Sequence, residues 1–172
     1  MIRPGNLQDL DALHDLENHS FETDRLSRQD LKRTLKSRAL LLVEEELGKL
    51  RGYVLVRFHP RSRRAHLHSI ATAPNSRRTG VGRALLRAAE DGAQTRGAAC
   101  MQLEIREDNH PALGLYEAMG YQQFGTWLDY YQDHGDARRM QKTLSPGTRP
   151  LPGTAVGFEI RCRDNDPGLG AC

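Results

Sequence analysis

The chain is 172 residues long, 38% hydrophobic and 27% charged, which favours one globular domain with a single core and excludes a disordered polymer. Its formal net charge of +3 is a slight basic excess, which suits an anionic ligand but does not by itself indicate nucleic-acid binding. No apolar run reaches the ~18 residues of a membrane span, and no apolar segment follows Met1 as in a secretory signal, so we expect a cytoplasmic protein without a membrane anchor. The three cysteines lack metal-ligand spacing, and their odd number argues against a disulfide framework.

The first third of the sequence predicts two helices and a β-hairpin. Leucines recur at helical spacing after Asn6, with aspartates between them, so we expect an amphipathic helix that Asn6 begins. Ser27 followed by Asp30 is a capping pattern that begins a second helix, and Leu47–Lys49 is a turn between two strands. The predicted elements are a strand at Ile2–Pro4, helices at Leu7–His19 and Ser27–Ser37, and strands at Ala39–Glu46 and Arg51–His59.

The middle of the chain predicts a strand, a loop and a long helix. Pro74 restricts Ala73 to extended backbone, so the strand ends there. Beyond Gly82 the apolar residues return at helical spacing, and Gly97 is suited to end that helix. The further elements are strands at Ala65–Ala73 and Ala99–Arg106, a helix at Pro111–Met119, and strands at Tyr121–Tyr131 and Ala137–Leu144.

These elements predict a mixed sheet with helices on both faces, in the α/β (α+β) class. The strand–helix–strand unit around Gly80 requires a right-handed crossover between two central parallel strands, whereas the hairpins at either end are antiparallel. One domain at residues 1–144 holds all of them. Residues 145–172 contain half of the chain's prolines together with five glycines and show no period, so we expect a largely disordered tail.

The segment Arg77–Arg83, between a predicted strand and the long helix, has the features of an anion-binding loop. Gly80 and Gly82 carry no side chain where the helix begins, so a ligand can approach bare N–H groups at the positive end of the helix dipole. Three arginines add positive charge at the same point. The nucleotide P-loop and Gly-x-Gly-x-x-Gly patterns are absent. The loop therefore favours a phosphorylated ligand, with an ordinary tight turn as the alternative interpretation.

Two motifs resemble the GNAT superfamily of N-acetyltransferases. Arg77–Gly82, read as Arg-x-x-Gly-x-Gly at the start of a helix, resembles the loop that binds the pyrophosphate of acetyl-CoA. Leu103–Tyr121 resembles the superfamily's Leu-Glu-Val-Arg…Asn-x-x-Ala-Ile-x-Leu-Tyr-Glu-x-x-Gly-Phe, and is nearest to the bacterial ribosomal-protein alanine N-acetyltransferase branch. The resemblance covers residues 1–144 in element order. It implies the GNAT fold, with acetyl-CoA as co-substrate and no metal.

The resemblance implies a role for each residue that matches a motif. In that branch a strand glutamate is the general base and a helix tyrosine the general acid, which match Glu104 and Tyr116. Asn109 matches the asparagine that contacts the pantetheine arm. The backbone of Ile70 and Ala71 flanks the thioester, and one N–H group there polarises the acetyl carbonyl. The implied cofactor-binding residues are Ile70, Ala71, Arg77, Arg78, Thr79, Gly80, Val81, Gly82, Arg83, Asn109 and Tyr116.

The implied chemistry explains why such residues are needed. An α-amino group has a pKa near ~8 and is protonated in water, so it must lose a proton before it attacks the thioester. A fixed N–H group stabilises the charge on the carbonyl oxygen. No covalent enzyme intermediate is required, so Cys100 is interpreted as a small core residue. His68, two residues before Ile70, is an alternative base because histidine titrates near neutral pH.

The acceptor site is predicted from aromatic residues. Tyr130 and Tyr131 resemble the paired tyrosines with which N-terminal acetyltransferases hold a peptide backbone; the alternative is a pair straddling a hairpin strand, one side chain in and one out. In the family the loop after the first helix lies over the acceptor, so Phe21 is predicted to line the same groove. Where the branch has Phe-Pro-Trp, this chain has Glu22 and Asp24 after the phenylalanine, which favours a basic acceptor. The implied substrate-binding residues are Phe21, Tyr130 and Tyr131.

The sequence thus predicts an acetyl-CoA-dependent N-acetyltransferase that acts on a protein or peptide N-terminal amine in a ternary complex. A small amine such as a polyamine is an alternative acceptor for the same chemistry. A non-catalytic acyl-CoA-binding regulatory module is a second alternative, disfavoured because both Glu104 and Tyr116 are present. A nucleic-acid-binding protein is the third alternative, which is disfavoured because no aromatic residues are interleaved with the arginines. No nucleic-acid or membrane partner is expected, and the sequence predicts no particular oligomeric state.

Overall fold

The computed structural model describes residues 1–144, and the predicted tail at 145–172 lies outside the described residues. The strands are β1 (Ile2–Pro4), β2 (Leu40–Glu46), β3 (Lys49–Phe58), β4 (Arg64–Thr72), β5 (Cys100–Arg106), β6 (Gln122–Trp127) and β7 (Ala137–Thr143). The helices are α1 (Leu10–Ser20), α2 (Arg28–Leu35), α3 (Val81–Thr95) and α4 (His110–Ala118). Short 3-10 turns stand at Leu7–Asp9 and Pro74–Ser76.

The strands form one seven-stranded sheet in the order β1-β2-β3-β4-β5-β7-β6. Every neighbouring pair is antiparallel except β4 and β5, which are parallel and are connected through α3. This confirms the prediction of a mixed, mostly antiparallel sheet with one central parallel pair.

The two faces of the sheet carry separate cores, because alternate residues of a strand point to opposite sides. In the first core, Leu85 of α3 and Leu113 of α4 pack with Val54 of β3. In the second core, Leu13 of α1 and Leu31 of α2 are fully buried. Within residues 1–144 the second core includes side chains of β2, β3 and β4 but none of β5, β6 or β7. The helices therefore cover both faces, as predicted, while α1 and α2 leave β5 and β7 uncovered on their side.

Local capping explains where the first helices begin. The Asn6 side chain accepts a backbone N–H at 2.8 Å, and Asp9 accepts the N–H of Asn6 at 2.8 Å. This capping box begins a 3-10 turn, so α1 starts at Leu10, later than predicted. Ser27 and Asp30 form the predicted capping box of α2, with the Asp30 N–H donating to Ser27 Oγ at 3.1 Å.

The last hairpin differs from the prediction. Strand β6 ends at Trp127, so the predicted continuation to Tyr131 is wrong. The backbone turns at Asp129, whose φ of 56° lies in the left-handed region and cannot continue a strand. The N–H groups of Tyr130 and Tyr131 both donate to the carbonyl of Gly135, at 3.0 and 3.1 Å. The tyrosines belong to the β6–β7 loop, and the alternative of a pair straddling a strand is wrong.

The sheet is split between its two parallel strands. Strands β4 and β5 pair only over Arg64–His66 with Cys100–Gln102, although β4 continues to Thr72 and β5 to Arg106. Beyond the three pairs, β4 remains bonded to β3, and β5 remains bonded to β7 along its whole length. The two halves of the sheet therefore diverge and leave an opening, which we call the split.

Strand β4 contains a β-bulge beside the split. Between Leu67 and Ser69 the register with β3 shifts, so His68 is an additional residue without a partner in the β3 register. The bulge changes which side chains face which core: Leu67 lies in the α3–α4 core, whereas Ala71 lies in the α1–α2 core. An even separation on a regular strand would put both on one face.

Candidate functional site

The loop from β4 to α3 presents the N-terminus of α3 to solvent. Gly80 is the N-cap, with a φ of 89° that favours glycine, and its carbonyl accepts the first helical hydrogen bond, from Ala84 N–H at 3.0 Å. The N–H groups of residues 81–83 precede that bond and point out of the helix, where the dipole favours an anion. Thr79 Oγ1 donates to the Ser76 carbonyl at 2.6 Å and holds the loop.

The arginines predicted to surround this point are all exposed, at Arg77, Arg78 and Arg83. Arg78 adopts a φ of 62°, uncommon for a residue with a side chain. No side chain stands at Gly82, where a Cβ would lie 3.6 Å from both Thr72 Oγ1 and Leu115 Cδ2. These are ordinary van der Waals distances, so the fold itself does not require glycine there. The end of β4, the start of α3 and α4 meet around this position.

Glu104 lies on β5 and contacts both neighbouring strands. Its side chain is only 9% exposed. The His66 ring, on β4, forms a short hydrogen bond from Nε2 to Glu104 Oε2, and Arg139 Nε, on β7, lies 3.9 Å from Oε1. The carboxylate therefore sits at the base of the split, on the face that α1 and α2 leave uncovered.

His68, the predicted alternative base, lies beside this pair. Its ring is 6.1 Å from the ring of His66, edge to face. Solvent reaches His68, but the surrounding protein desolvates it, and together with the charges of Arg57 and His66 this lowers the pKa of His68 to about 4. The ring is therefore neutral at physiological pH and a weaker base than an ordinary imidazole, which disfavours His68 for that role.

His66 is the residue that the sequence analysis missed. Its position pairs with Gln102, two residues before Glu104, so the two side chains approach each other across the parallel pair. The available signal was the spacing of His66 and His68, because residues two apart on a regular strand share a face. The contact itself could not be foreseen, since it depends on the distance between strands far apart in sequence.

Tyr116 lies on α4, and Asn109 is the N-cap of that helix. Tyr116 is 3% exposed, and its ring packs edge to face on Tyr121 at 5.5 Å. Burial raises the pKa of Tyr116, and the nearby Tyr131 of the β6–β7 loop raises it further. The Tyr116 hydroxyl therefore stays protonated. The Asn109 side-chain carbonyl accepts the Ala112 N–H at 3.3 Å and caps the helix, which leaves its NH₂ group to donate to a ligand.

The β6–β7 loop carries a series of ring contacts. The Tyr130 ring lies 5.1 Å from Trp127 and 5.0 Å from Tyr131. The Arg106 guanidinium lies 4.9 Å from the centre of Tyr131, and that of Arg139 lies 4.2 Å from the centre of Trp127. Trp127 is 36% and Tyr130 44% exposed. The loop therefore forms a partly exposed aromatic wall next to the strand that holds Glu104.

The acidic loop after α1 lies close to this wall. Burial raises the pKa of Tyr130 and Tyr131, and the charges of Glu104 and Asp24 raise both further. Asp24, the two tyrosines and Glu104 thus surround one region. Phe21 is half-buried against the α1–α2 core instead, and the ring contacts within residues 1–144 do not include it. The structure therefore brings the tyrosines to Glu104 but does not bring Phe21 into the same set of rings.

A buried carboxylate ties the loop after α1 to the sheet. Glu17 is 1% exposed and accepts the Leu26 N–H at 2.9 Å, the Ser69 hydroxyl at 3.3 Å and the Tyr53 hydroxyl in a short hydrogen bond. Burial raises the pKa of Glu17. Because Leu26 belongs to the loop and Ser69 to β4 beside the split, Glu17 fixes the loop relative to the site.

The structure thus contains three groups with relevant chemistry: a helix end whose N–H groups favour an anion, the Glu104 carboxylate at the split, and the protonated, buried Tyr116. Within residues 1–144, no group of three or more His, Cys, Asp or Glu residues is placed to hold a metal ion. In the same range, no helix is both long and apolar enough to span a membrane. The arrangement suits an extended ligand with an anionic end, which lies in the split and reaches Glu104.

Comparison with known proteins gives a consistent result. A family model described as Acetyltransferase (GNAT) family matches residues 7–121. A Bacillus subtilis (strain 168) protein, provisionally assigned as a ribosomal protein bS18-alanine N-acetyltransferase, is 32% identical over 146 residues, which cover 84% of this chain and 95% of that protein.

Two solved structures extend the similarity to the fold. The ribosomal-protein-S18-alanine N-acetyltransferase from Escherichia coli superposes with a TM-score of 0.77 at 27% identity, over 92% of this chain and 99% of that one. Chaetomium thermophilum Naa20, solved in complex with a bisubstrate analogue, superposes with a TM-score of 0.75 at 25% identity, over 85% and 87% of the two chains.

Proposed function

The chain belongs to the acetyltransferase (GNAT) family, and we propose that it transfers the acetyl group of acetyl-CoA to the N-terminal amine of a protein. The observation that supports the proposal is the carboxylate of Glu104 at the base of the split, where it bonds His66 and lies near the tyrosines of the β6–β7 loop. The relatives named for a ribosomal-protein alanine support the acceptor. An alanine side chain contains no nitrogen, so an alanine N-acetyltransferase acts on a main-chain terminal amine. A cytoplasmic location fits such a substrate.

The binding of acetyl-CoA is proposed for the α3 side of the split. The N–H groups at Val81–Arg83 bind the pyrophosphate, and Arg77, Arg78 and Thr79 surround it. The Asn109 NH₂ group donates to a carbonyl of the pantetheine arm. The edge of β4 at Ile70–Ala71, which faces the split beyond the last β4–β5 pair, offers an N–H group to the acetyl carbonyl.

The proposed proton transfers use the two sides of the split. Glu104 takes a proton from the acceptor ammonium, directly or through water, so that the amine can attack. Tyr116 keeps its proton because it is buried, and it donates that proton to the departing thiolate. The nitrogen attacks the thioester carbon directly, and the carbon–sulfur bond then breaks. No residue of the chain is acylated in this scheme.

The acceptor is proposed to lie against Tyr130 and Tyr131, whose rings pack while their hydroxyls bond a peptide backbone. Asp24 and Glu22 add negative charge at the entrance and favour positively charged peptides, by on the order of 1 kcal/mol or less because such exposed charges are screened. Phe21 contributes through the packing of its loop. The aromatic wall favours a peptide over a small free amine, since an amine has no backbone for it to hold.

An alanine at position 82 is expected to stabilise the protein and weaken its binding of acetyl-CoA. Alanine is favoured over glycine in a helix by about 0.5–1 kcal/mol, and its Cβ has ordinary contacts with Thr72 and Leu115. The same Cβ narrows the pyrophosphate site, so Gly82→Ala should raise the dissociation constant at least about tenfold. Titration and scanning calorimetry measure the two effects. Gly114→Ala, on an open face of α4, is the control that should stabilise without affecting the ligand; an unchanged affinity in Gly82→Ala contradicts the assignment.

Removal of the Tyr116 hydroxyl is expected to lower kcat more than it changes the KM for the acceptor. Tyr116→Phe keeps the ring and its packing, but it loses the proton donor, which should cost roughly 10- to 100-fold in kcat. Steady-state kinetics and the melting temperature are compared with those of Tyr121→Phe, which removes a hydroxyl from the same core. Equal losses of stability and activity in both variants would show that the Tyr116 hydroxyl serves the fold.

The proposal is tested with an unbiased library of peptides that have free N-termini, assayed for acetylation by mass spectrometry beside a panel of polyamines and other small amines. We expect modified peptide α-amines and release of free coenzyme A. Acetylation of the small amines but of no peptide would show that a small amine, and not a protein N-terminus, is the acceptor. Binding of acetyl-CoA without release of coenzyme A, with every acceptor, would show a regulatory module rather than an enzyme.

A further inference from the structure

We propose that His66 is a positioning residue for Glu104, whose carboxylate it holds in place for proton transfer. The inference rests on the proposed function, because it concerns the same acetyl transfer. His66 pairs with Gln102 at the point where β4 and β5 diverge, and its Nε2 bonds Oε2 of Glu104, two residues further along β5. A glutamate side chain has several rotatable bonds, and without a partner on β4 its carboxylate is free to move away from the split.

The position of the pair explains why a neutral hydrogen-bond donor suits this role. The Glu104 side chain is 9% exposed and that of His66 is 41% exposed, so the imidazole lies on the solvent side of the carboxylate. With Nε2 donating, Nδ1 is the ring's acceptor, and a proton added there creates an imidazolium. An imidazolium binds the carboxylate more strongly and makes it a poorer proton acceptor. The pair is therefore competent when His66 is neutral.

Other titratable and charged groups surround the pair from every neighbouring element. On β4 the neighbour is His68, which its lowered pKa keeps neutral. Arg57 of β3 pairs in register with His66, and Arg139 of β7 lies 3.9 Å from Glu104. The groups on the loops are Tyr130 and Tyr131 of β6–β7, and Asp24 of α1–α2. Among these groups, His66 is the one that forms a hydrogen bond to Glu104.

The proton balance gives the pair a defined task. An acceptor ammonium loses two protons as its nitrogen becomes an amide, and the thiolate takes up one, so one proton per turnover leaves for solvent. Glu104 removes the first proton from the ammonium, and water takes that proton from the carboxylate before the next turnover, while the His66 N–H keeps the carboxylate in place. The second amine proton restores the hydroxyl that donated to the thiolate.

The kinetic test compares His66→Phe with His66→Gln. Phenylalanine keeps a planar ring without a donor, so kcat should fall at least about tenfold, with the KM for acetyl-CoA unchanged. Glutamine keeps an N–H donor and should recover most of kcat. His59→Phe, at an exposed site beyond β3, is the control expected to behave as the unmodified protein. Equal losses of kcat in both His66 variants would overturn the proposal.

A second measurement does not depend on turnover. The imidazole nitrogens of His66 are followed by NMR without ligand, in the unmodified protein and in Glu104→Gln. We expect a hydrogen-bonded Nε2–H signal in the former, and a changed chemical shift of that signal in the variant, where a neutral amide oxygen replaces the carboxylate. The same Nε2–H signal in both proteins would overturn the contact. Because this readout needs no acceptor, a protein that acetylates no peptide but shows the coupling would fail the proposed function while keeping the proposed pair.

Discussion

Replacing Glu104 with glutamine is expected to lower kcat/KM for the acceptor by about 100-fold or more, the usual contribution of a general base. Glutamine has almost the same shape as glutamate and keeps an acceptor oxygen for His66, but it cannot take a proton from the ammonium. The dissociation constant for acetyl-CoA should change little, because the proposed pyrophosphate site lies at the far end of the split. Single-turnover kinetics with saturating acetyl-CoA would measure the effect on the chemical step.

The matched control is Glu107→Gln. Glu107 follows β5 by one residue and is about half exposed, with its side chain bonded to Arg138 at 3.2 Å. Its substitution removes one negative charge beside the end of β5 without touching the pair at the base of the split. A comparable loss in both variants would mean that the effect is a general electrostatic one. At high pH the acceptor amine is already deprotonated, so an unchanged rate in Glu104→Gln there is compatible with a role as general base. An unchanged rate at neutral pH would contradict that role.

The second large effect is expected on stability, at Glu17. Glu17→Leu removes the acceptor of the Leu26 N–H and of two hydroxyls in a buried position, so we expect a loss of about 3 kcal/mol, or roughly 6–12 °C in melting temperature. Glu17→Gln keeps an oxygen for Leu26 and an NH₂ group for Tyr53, and should be far less damaging. Urea denaturation of both variants would distinguish lost hydrogen bonds from lost charge.

The pH dependence gives this prediction a sign. Burial raises the pKa of Glu17 in the folded protein above its ordinary value of 4.5, so between 4.5 and the folded pKa the folded state binds more protons than the unfolded state. The contribution of Glu17 to stability is complete below pH 4.5 and is lost as the pH rises through the folded pKa. Glu17→Gln should remove this part of the slope, and the same slope in both proteins would contradict the assignment.

The features that the sequence predicted well are those set by local chemistry. Asn6 and Ser27 begin helical turns because their side chains accept N–H groups within three residues, and Gly80 and Gly97 adopt left-handed backbone that other residues avoid. The parallel pair followed from the strand–helix–strand order around α3. For the site, the motifs singled out Glu104 and the loop at Arg77–Gly82, and their roles stay predictions.

What the sequence did not predict depends on distances between segments. The bulge at His68 arises from the register with β3, and no local pattern in β4 marks it. The contact of His66 with Glu104 depends on how far β4 and β5 stay paired. The early end of β6 follows from the positive φ of Asp129. Aspartate can adopt this conformation but also occurs in extended backbone, so the residue type alone did not predict the turn.

The split also leaves two strand edges open in the middle of the sheet, as far as residues 1–144 are concerned. Among those residues, no strand pairs with β4 beyond His66 or with β5 beyond Gln102 on the side of the opening. Exposed edges of this kind readily pair with other chains, which leads to aggregation. A ligand that lies along them as an extended chain would occupy those groups. An enzyme saturated with acetyl-CoA should therefore resist aggregation better than the same enzyme without it. The concentration of acetyl-CoA would then also affect the lifetime of the folded protein.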